Sequence, residues 1–168
     1  MLFRSNPNIV VAGSESGVLY KSTDKGLNWI SINNDLPIVS TVSVVGINPV
    51  NSNIILYYNS GGLFISQNGG ISFSRLDSYT YGEINRIAFN TTSNRILVAS
   101  ANGIYYTSDN GESWVLGSGT NTGQTFYDIA VKPGSPNTVY AIASQSISSN
   151  MLLYVSTNGG SKIGRAHV

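Results

Sequence analysis

The chain has 168 residues, and only 10% are charged, against roughly 25% in an average soluble domain. Nine Lys and Arg stand against eight Asp and Glu, so the net charge is +1 and no basic field exists to grip nucleic acid phosphates. With no Cys, one His and no run near the ~20 apolar residues of a membrane helix, the sequence excludes disulfides, thiolate metal sites, cysteine nucleophiles and a helical membrane span.

At the start, Met1-Leu2-Phe3-Arg4 lacks the basic and apolar regions of a signal peptide, and Met1 reads as an internal methionine. Residues 5–9, Ser-Asn-Pro-Asn-Ile, are the second half of an element that returns later in the chain. Strands follow near residues 9–13, 18–22 and 28–32, alternating apolar and polar as half-buried strands do.

Between the second and third strands lies Ser22-Thr23-Asp24-Lys25-Gly26-Leu27-Asn28-Trp29. A second unit has strands near 42–48, 54–59, 62–66 and 72–76, with the turn Ser66, Asn68, Gly70, Phe73 between the last two. A third has strands near 84–89, 95–100, 103–108 and 113–116, with Thr107, Asp109, Gly111 and Trp114. A fourth has strands near 126–131, 139–143 and 152–156, with Ser156, Asn158 and Gly160. Fourteen strands are expected, and β-branched and aromatic residues fill them. A second element recurs at the same period: Asn48-Pro49-Val50-Asn51-Ser52-Asn53 matches Lys132-Pro133-Gly134-Ser135-Pro136-Asn137.

Four short antiparallel strands every ~45 residues are the signature of a propeller blade. A two-sheet sandwich also has short strands, but it does not repeat one turn four times at one period. The expected class is all-β: a partial β-propeller of about three and a half four-stranded antiparallel blades, forming an open arc. The blades span roughly 1–33, 34–77, 78–118 and 119–161. Residues 162–168, Lys-Ile-Gly-Arg-Ala-His-Val, break the pattern and match an in-frame translation of a common short-read sequencing adapter. The expectation is that native sequence stops at Ser161, which leaves seven cations against eight acids, a net −1, and no His. Blades bury their faces against neighbours, so this stretch is not expected to fold alone.

The recurring turn, Ser/Thr-x-Asp-x-Gly-x-x-Trp, resembles the Asp-box (BNR) repeat. The Asn-Pro-x-Asn-x-Asn element is similar to that of sortilin-type and xyloglucanase-type propellers. Photosystem II assembly factors and secreted bacterial repeat proteins are similar too. The turn needs its residues for structural reasons. Asp or Asn accepts hydrogen bonds from backbone amides one or two residues on, Gly supplies positive φ, Ser or Thr adds a local bond, and the aromatic packs between blades. Asp109 and Glu112 place two carboxylates close together, but the ladder of a calcium loop is missing. No metal and no cofactor is expected.

Resemblance to Asp-box sialidases implies an arginine triad, a Tyr–Glu nucleophile pair and an Asp acid/base. Arg4, Arg75, Arg86 and Arg95 are the arginines available, and Phe3-Arg4-Ser5-Asn6 departs from the Phe-Arg-Ile-Pro motif of those enzymes. Resemblance to xyloglucanase-type enzymes implies two carboxylates flanking a glycosidic bond. The acids outside the turns are Glu15, Asp35, Asp77, Glu83 and Asp128. Glu83 and Asp128 lie next to first strands, which line a propeller's channel, so they are the catalytic candidates. Tyr79 and Tyr81, in the connection between blades, and Tyr127 are the candidates for contact with a ligand. The expected function is a non-catalytic scaffold from a secreted, periplasmic or cell-surface protein, presenting loops to a protein or glycan. The alternative is a fragment of a propeller glycoside hydrolase, and a third reading is an intracellular assembly factor. Missing blades of the same chain are expected partners.

Overall fold

A computed structural model describes residues 6, 8–32, 41–91, 94–120, 123–145 and 148–166. The expectations placed on Phe3, Arg4, Ser5, Pro7, Asp35 and His167 fall outside the described residues. The chain divides into two compact units, Met1–Asp77 and Ser78–Val168.

In the first unit, β1 (Val10–Gly13), β2 (Leu19–Ser22) and β3 (Ile30–Ser31) form a three-stranded antiparallel sheet. A four-stranded sheet follows in chain order: β4 (Val44–Ile47), β5 (Ile55–Asn59), β6 (Gly62–Ser66) and β7 (Ser74–Arg75). Alternation sends Val11 and Leu19 from one sheet onto Ile47, Ile55 and Tyr57 of the other. Tyr57 stacks on Phe64 at 4.8 Å between centroids and meets the edge of Phe73 at 5.3 Å.

The second unit holds two four-stranded meanders. One is β8 (Ile84–Asn90), β9 (Arg95–Ser100), β10 (Gly103–Thr107) and β11 (Val115–Leu116); the other is β12 (Phe126–Val131), β13 (Val139–Gln145), β14 (Ser148–Ser156) and β15 (Gly164–Arg165). Leu97, Ala99 and Ile104 pack on Phe126, Ile129, Val139, Ala141, Ala143, Tyr154 and Ile163 in one core. Each fully buried Leu or Ile stabilises by about 1.5–3 kcal/mol.

The fifteenth strand departs from the fourteen expected. Gly164 and Arg165 pair with Val155 and Tyr154, and Ile163 fills the aromatic position of the turn at 0% exposure. The local cause is visible. Asn158 Oδ1 accepts the Lys162 amide at 2.8 Å and turns the chain back, while Ser118 bonds Ser161 O and the Ile163 amide at 2.9 and 2.8 Å.

The repeated turn is built alike in all four copies. The hydroxyl of Ser22, Ser66, Thr107 or Ser156 donates to the Asp or Asn two residues on and accepts the amides of that residue and of the glycine two further. The side chain of Asp24, Asn68, Asp109 or Asn158 reaches further than the one or two residues expected. It accepts the amide four residues on, at 2.8, 3.0, 3.0 and 2.8 Å. The difference arises because two consecutive left-handed residues tighten the loop. Gly26, Gly70, Gly111 and Gly160 have φ between 91° and 94°, and the residue before each is also positive.

The two sequence motifs meet. The Asn8, Asn53 and Asn137 carbonyls of the Asn-rich element accept the amides of Lys25, Gly69 and Gly159 in the turns, at 2.9, 2.9 and 2.8 Å. Both motifs therefore crowd one end of these three sheets, and the opposite end is left to the starts of the first strands and the connections that precede them.

The fourth sheet has an outward apolar face. In the third sheet, Leu97, Ala99 and Ile104 are each 0% exposed because the fourth sheet covers them. The strand registers make Tyr140, Ile142 and Leu153 their equivalents one repeat on, and these are 39%, 38% and 41% exposed.

Candidate functional site

The first strands β8 and β12 are edge strands, and each carries a β-bulge at the same place. In β8 the register skips from Ile84 to Arg86, leaving Asn85 as the extra residue; in β12 it skips from Phe126 to Asp128, leaving Tyr127. An extra residue re-aims the side chains beside it. Two outward residues are thereby set between two buried ones: Asn85 and Arg86 between Ile84 and Ile87, and Tyr127 and Asp128 between Phe126 and Ile129.

The two bulges lie side by side and are joined by side-chain bonds. Arg86 Nε donates to Asp128 Oδ1 at 3.2 Å, with side chains 40% and 54% exposed. Asn85 Nδ2 donates to the Phe126 carbonyl at 2.8 Å, tying the two bulges together. Asp128 Oδ1 also accepts the Ile129 amide at 2.9 Å. The Tyr127 ring is 48% exposed. Sequence reasoning singled out Asp128 and Tyr127 but not Asn85, and it placed Arg86 only among the arginines of a possible triad. The signal was the spacing Ile84–Ile87 and Phe126–Ile129, three residues where strict alternation needs two.

Glu83, Tyr79 and Tyr81 stand at the same end of the unit, in the connection leading into β8. Glu83 is exposed, and its carbonyl accepts the Ala101 amide at 3.0 Å. Tyr79 and Tyr81 are half-buried in an aromatic cluster. Tyr81 stacks on Tyr105 at 4.2 Å and 13°, and Tyr79 meets Trp114 edge-on at 5.2 Å. Burial, and then the neighbouring Tyr81, push the Tyr105 phenol above its usual pKa.

Several of the other charged groups serve the turns. Asp24 is held at about 2, first by the Asn28 side chain; Asp109 is held at about 2, first by the Ser113 hydroxyl and then by Thr107. Both Asp109 oxygens are thus engaged within the loop. Arg95 lies 4.5 Å over the Tyr106 ring and reaches Ser161 and the carbonyls of Asn158 and Gly159. Lys21 Nζ grips the Gly69 carbonyl at 2.7 Å in the same manner. Arg75 pairs with Asp77 at 3.1 Å on the surface. Among the described residues no three His, Cys, Asp or Glu side chains converge as metal ligands. A cleft of about 360 Å³ lies at the turn end of the first unit, lined by Lys21, Ile30, Ile32 and Ile71 among others, and none of the carboxylates singled out from sequence reaches it.

Sheets of this size and topology, each an antiparallel meander in chain order, define a β-propeller, here in part. Solved structures bear this out. An ancestral GH74 enzyme superposes with a TM-score of 0.77 at 26% identity, over 100% of this chain and 23% of that one. The GH74 xyloglucanase from Xanthomonas campestris superposes at 0.74 with 14% identity, over 98% of this chain and 29% of that one. YCF48 bound to D1 peptide superposes at 0.65 with 18% identity, over 94% and 49%. The chain spans about a quarter of the length of the two enzymes. No family model and no curated protein matches it.

Proposed function

We propose that the chain is part of a non-catalytic propeller module of a secreted or cell-surface protein, presenting the end opposite its turns to a protein or glycan. The observation that carries this reading is the pairing of Asp128 with Arg86. A glycosidase needs two carboxyl groups facing each other across the bond to be cut, ~5–9.5 Å apart depending on mechanism. Here the carboxylate best placed for that work is engaged in an ion pair with a guanidinium. In this reading the four turns are Asp-boxes, supported by their shared hydrogen bonds and paired left-handed residues. Further blades of the same protein cover the Tyr140, Ile142 and Leu153 face, as the fourth sheet covers Leu97, Ala99 and Ile104. Protein partners are supported by the likeness to a propeller solved with a bound peptide.

One observation favours a second reading, a fragment of a glycoside hydrolase: the two GH74 enzymes match nearly the whole chain. The partner carboxylate then lies outside these residues. Release of reducing ends from xyloglucan and other neutral polysaccharides by the full-length protein separates the two. The first reading predicts no release; release abolished by Asp128→Asn supports the second.

A further inference from the structure

We infer that Arg86, Asp128 and Tyr127 form a binding site for a neutral oligosaccharide. The inference rests on the binding-module reading and names the ligand class of that module's exposed end.

Three features point to a neutral, hydroxyl-rich ligand. First, the pair is closed on itself. Arg86 Nε and Asp128 Oδ1 meet at 3.2 Å, so an ion of either sign is attracted by one partner and repelled by the other unless it pulls the pair apart. A vicinal diol displaces neither: one hydroxyl accepts from a free guanidinium N–H, and its neighbour donates to Asp128 Oδ2. Arg keeps donors in a fixed fork and a carboxylate keeps acceptors on both oxygens, so the pair still has hydrogen bonds to offer. Second, Tyr127 is 48% exposed directly beside Asp128 in sequence, and the bulge turns both outward. An aromatic face next to a donor–acceptor pair suits a pyranose ring, which shows apolar C–H groups on its faces and hydroxyls at its rim. Third, the geometry disfavours the main macromolecular rival. A peptide adds to an edge strand through evenly spaced N–H and C=O groups. Both edges here, β8 and β12, are interrupted by a bulge at this point.

The residues are held for the task. Asn85 Nδ2 fixes the carbonyl of Phe126, the residue before Tyr127, and the Ile129 amide fixes Asp128 Oδ1, leaving the other carboxylate oxygen to a ligand. Buried Ile84, Ile87, Phe126 and Ile129 anchor the strands beneath.

The test is calorimetric titration of the full-length protein with cellohexaose, xylohexaose and mannohexaose, followed by chromatography of the recovered sugar. At least one is expected to bind, with Tyr127→Ala and Asp128→Asn each weakening it about tenfold or more. Tyr127→Phe keeps the ring and Glu112→Gln lies at the turn end, so both are expected to stay within about twofold. A thermal denaturation midpoint for Tyr127→Ala close to that of the parent shows that its loss of binding is not misfolding. Absence of binding by all three sugars overturns the inference, as does Tyr127→Ala binding like the parent. If a sugar binds independently of Tyr127 and Asp128 and is recovered intact, the site assignment fails while the binding-module reading stands. Sugar recovered shortened overturns the non-catalytic reading, whatever Tyr127 does.

Discussion

Arg86 and Asp128 occupy equivalent positions on successive first strands, each just after a bulge, and their side chains meet at 3.2 Å. Because both are about half exposed, water screens the pair, and such pairs contribute at most about 1 kcal/mol. Asp128→Asn is therefore expected to lower the melting temperature by no more than a few degrees, as read by thermal denaturation. A collapse of the fold on this substitution would show that the pair is structural and not kept for a ligand.

The turns are where polar substitutions hurt. Thr107 Oγ1 accepts the buried Gly111 amide at 2.9 Å and that of Asp109 at 3.2 Å. Thr107→Val keeps the shape and removes both of these bonds together with the one the hydroxyl donates to Asp109. Denaturant unfolding is expected to show a loss of about 1–3 kcal/mol, the cost of leaving a buried donor unmade. Ser113→Ala, at an exposed position, is expected to cost less.

Acid sensitivity should follow from two of the four turns only. Asp24 and Asp109 are lowered from 3.8 to about 2, so the folded state holds the charged form more tightly than the unfolded chain does. Their contribution is complete above 3.8 and is lost as pH falls through about 2. Asn68 and Asn158 make the equivalent bonds without titrating. Replacing both acids by Asn is therefore expected to keep the turns and to flatten stability between these two pH values. An unchanged acid limb in that double variant would contradict the assignment.

Two glycines separate backbone strain from packing. Gly134 has φ 75° and open space where a Cβ would stand; Gly160 has φ 91° and a Cβ there would strike Leu97 Cδ2. Gly134→Ala is expected to cost about 1–2 kcal/mol from the left-handed backbone alone. Gly160→Ala adds overpacking of a full core, about 1–3 kcal/mol more.

Much of this architecture was legible because the repeat is written twice per blade, in the turns and in the Asn-rich element. Their meeting at Asn53 and Gly69 explains why both keep one period. The strands at residues 62–66, 95–100 and 126–131 coincide with β6, β9 and β12. The fifteenth strand was not expected because residues 162–168 were set apart as an adapter translation, and Ile163 stands where its equivalents carry an aromatic. The site was half legible. Asp128 and Tyr127 stood out by chemistry, but their partner Arg86 sits on another strand, and no local pattern announces a contact 42 residues away in sequence. Tyr79 and Tyr81 are half-buried because Tyr105 and Trp114, from two other places in the chain, close over them.

A binding module of this kind takes its ligand at the bulges and not at the turns. NMR titration of the full-length protein with cellohexaose tests it most directly, following the Arg86 Nε–H and Tyr127 ring signals against the Ile30 and Ile71 methyls beside the turn-end cleft. Arg86 and Tyr127 are expected to shift together and saturate while the two isoleucines stay still. Shifts confined to Ile30 and Ile71 would contradict it.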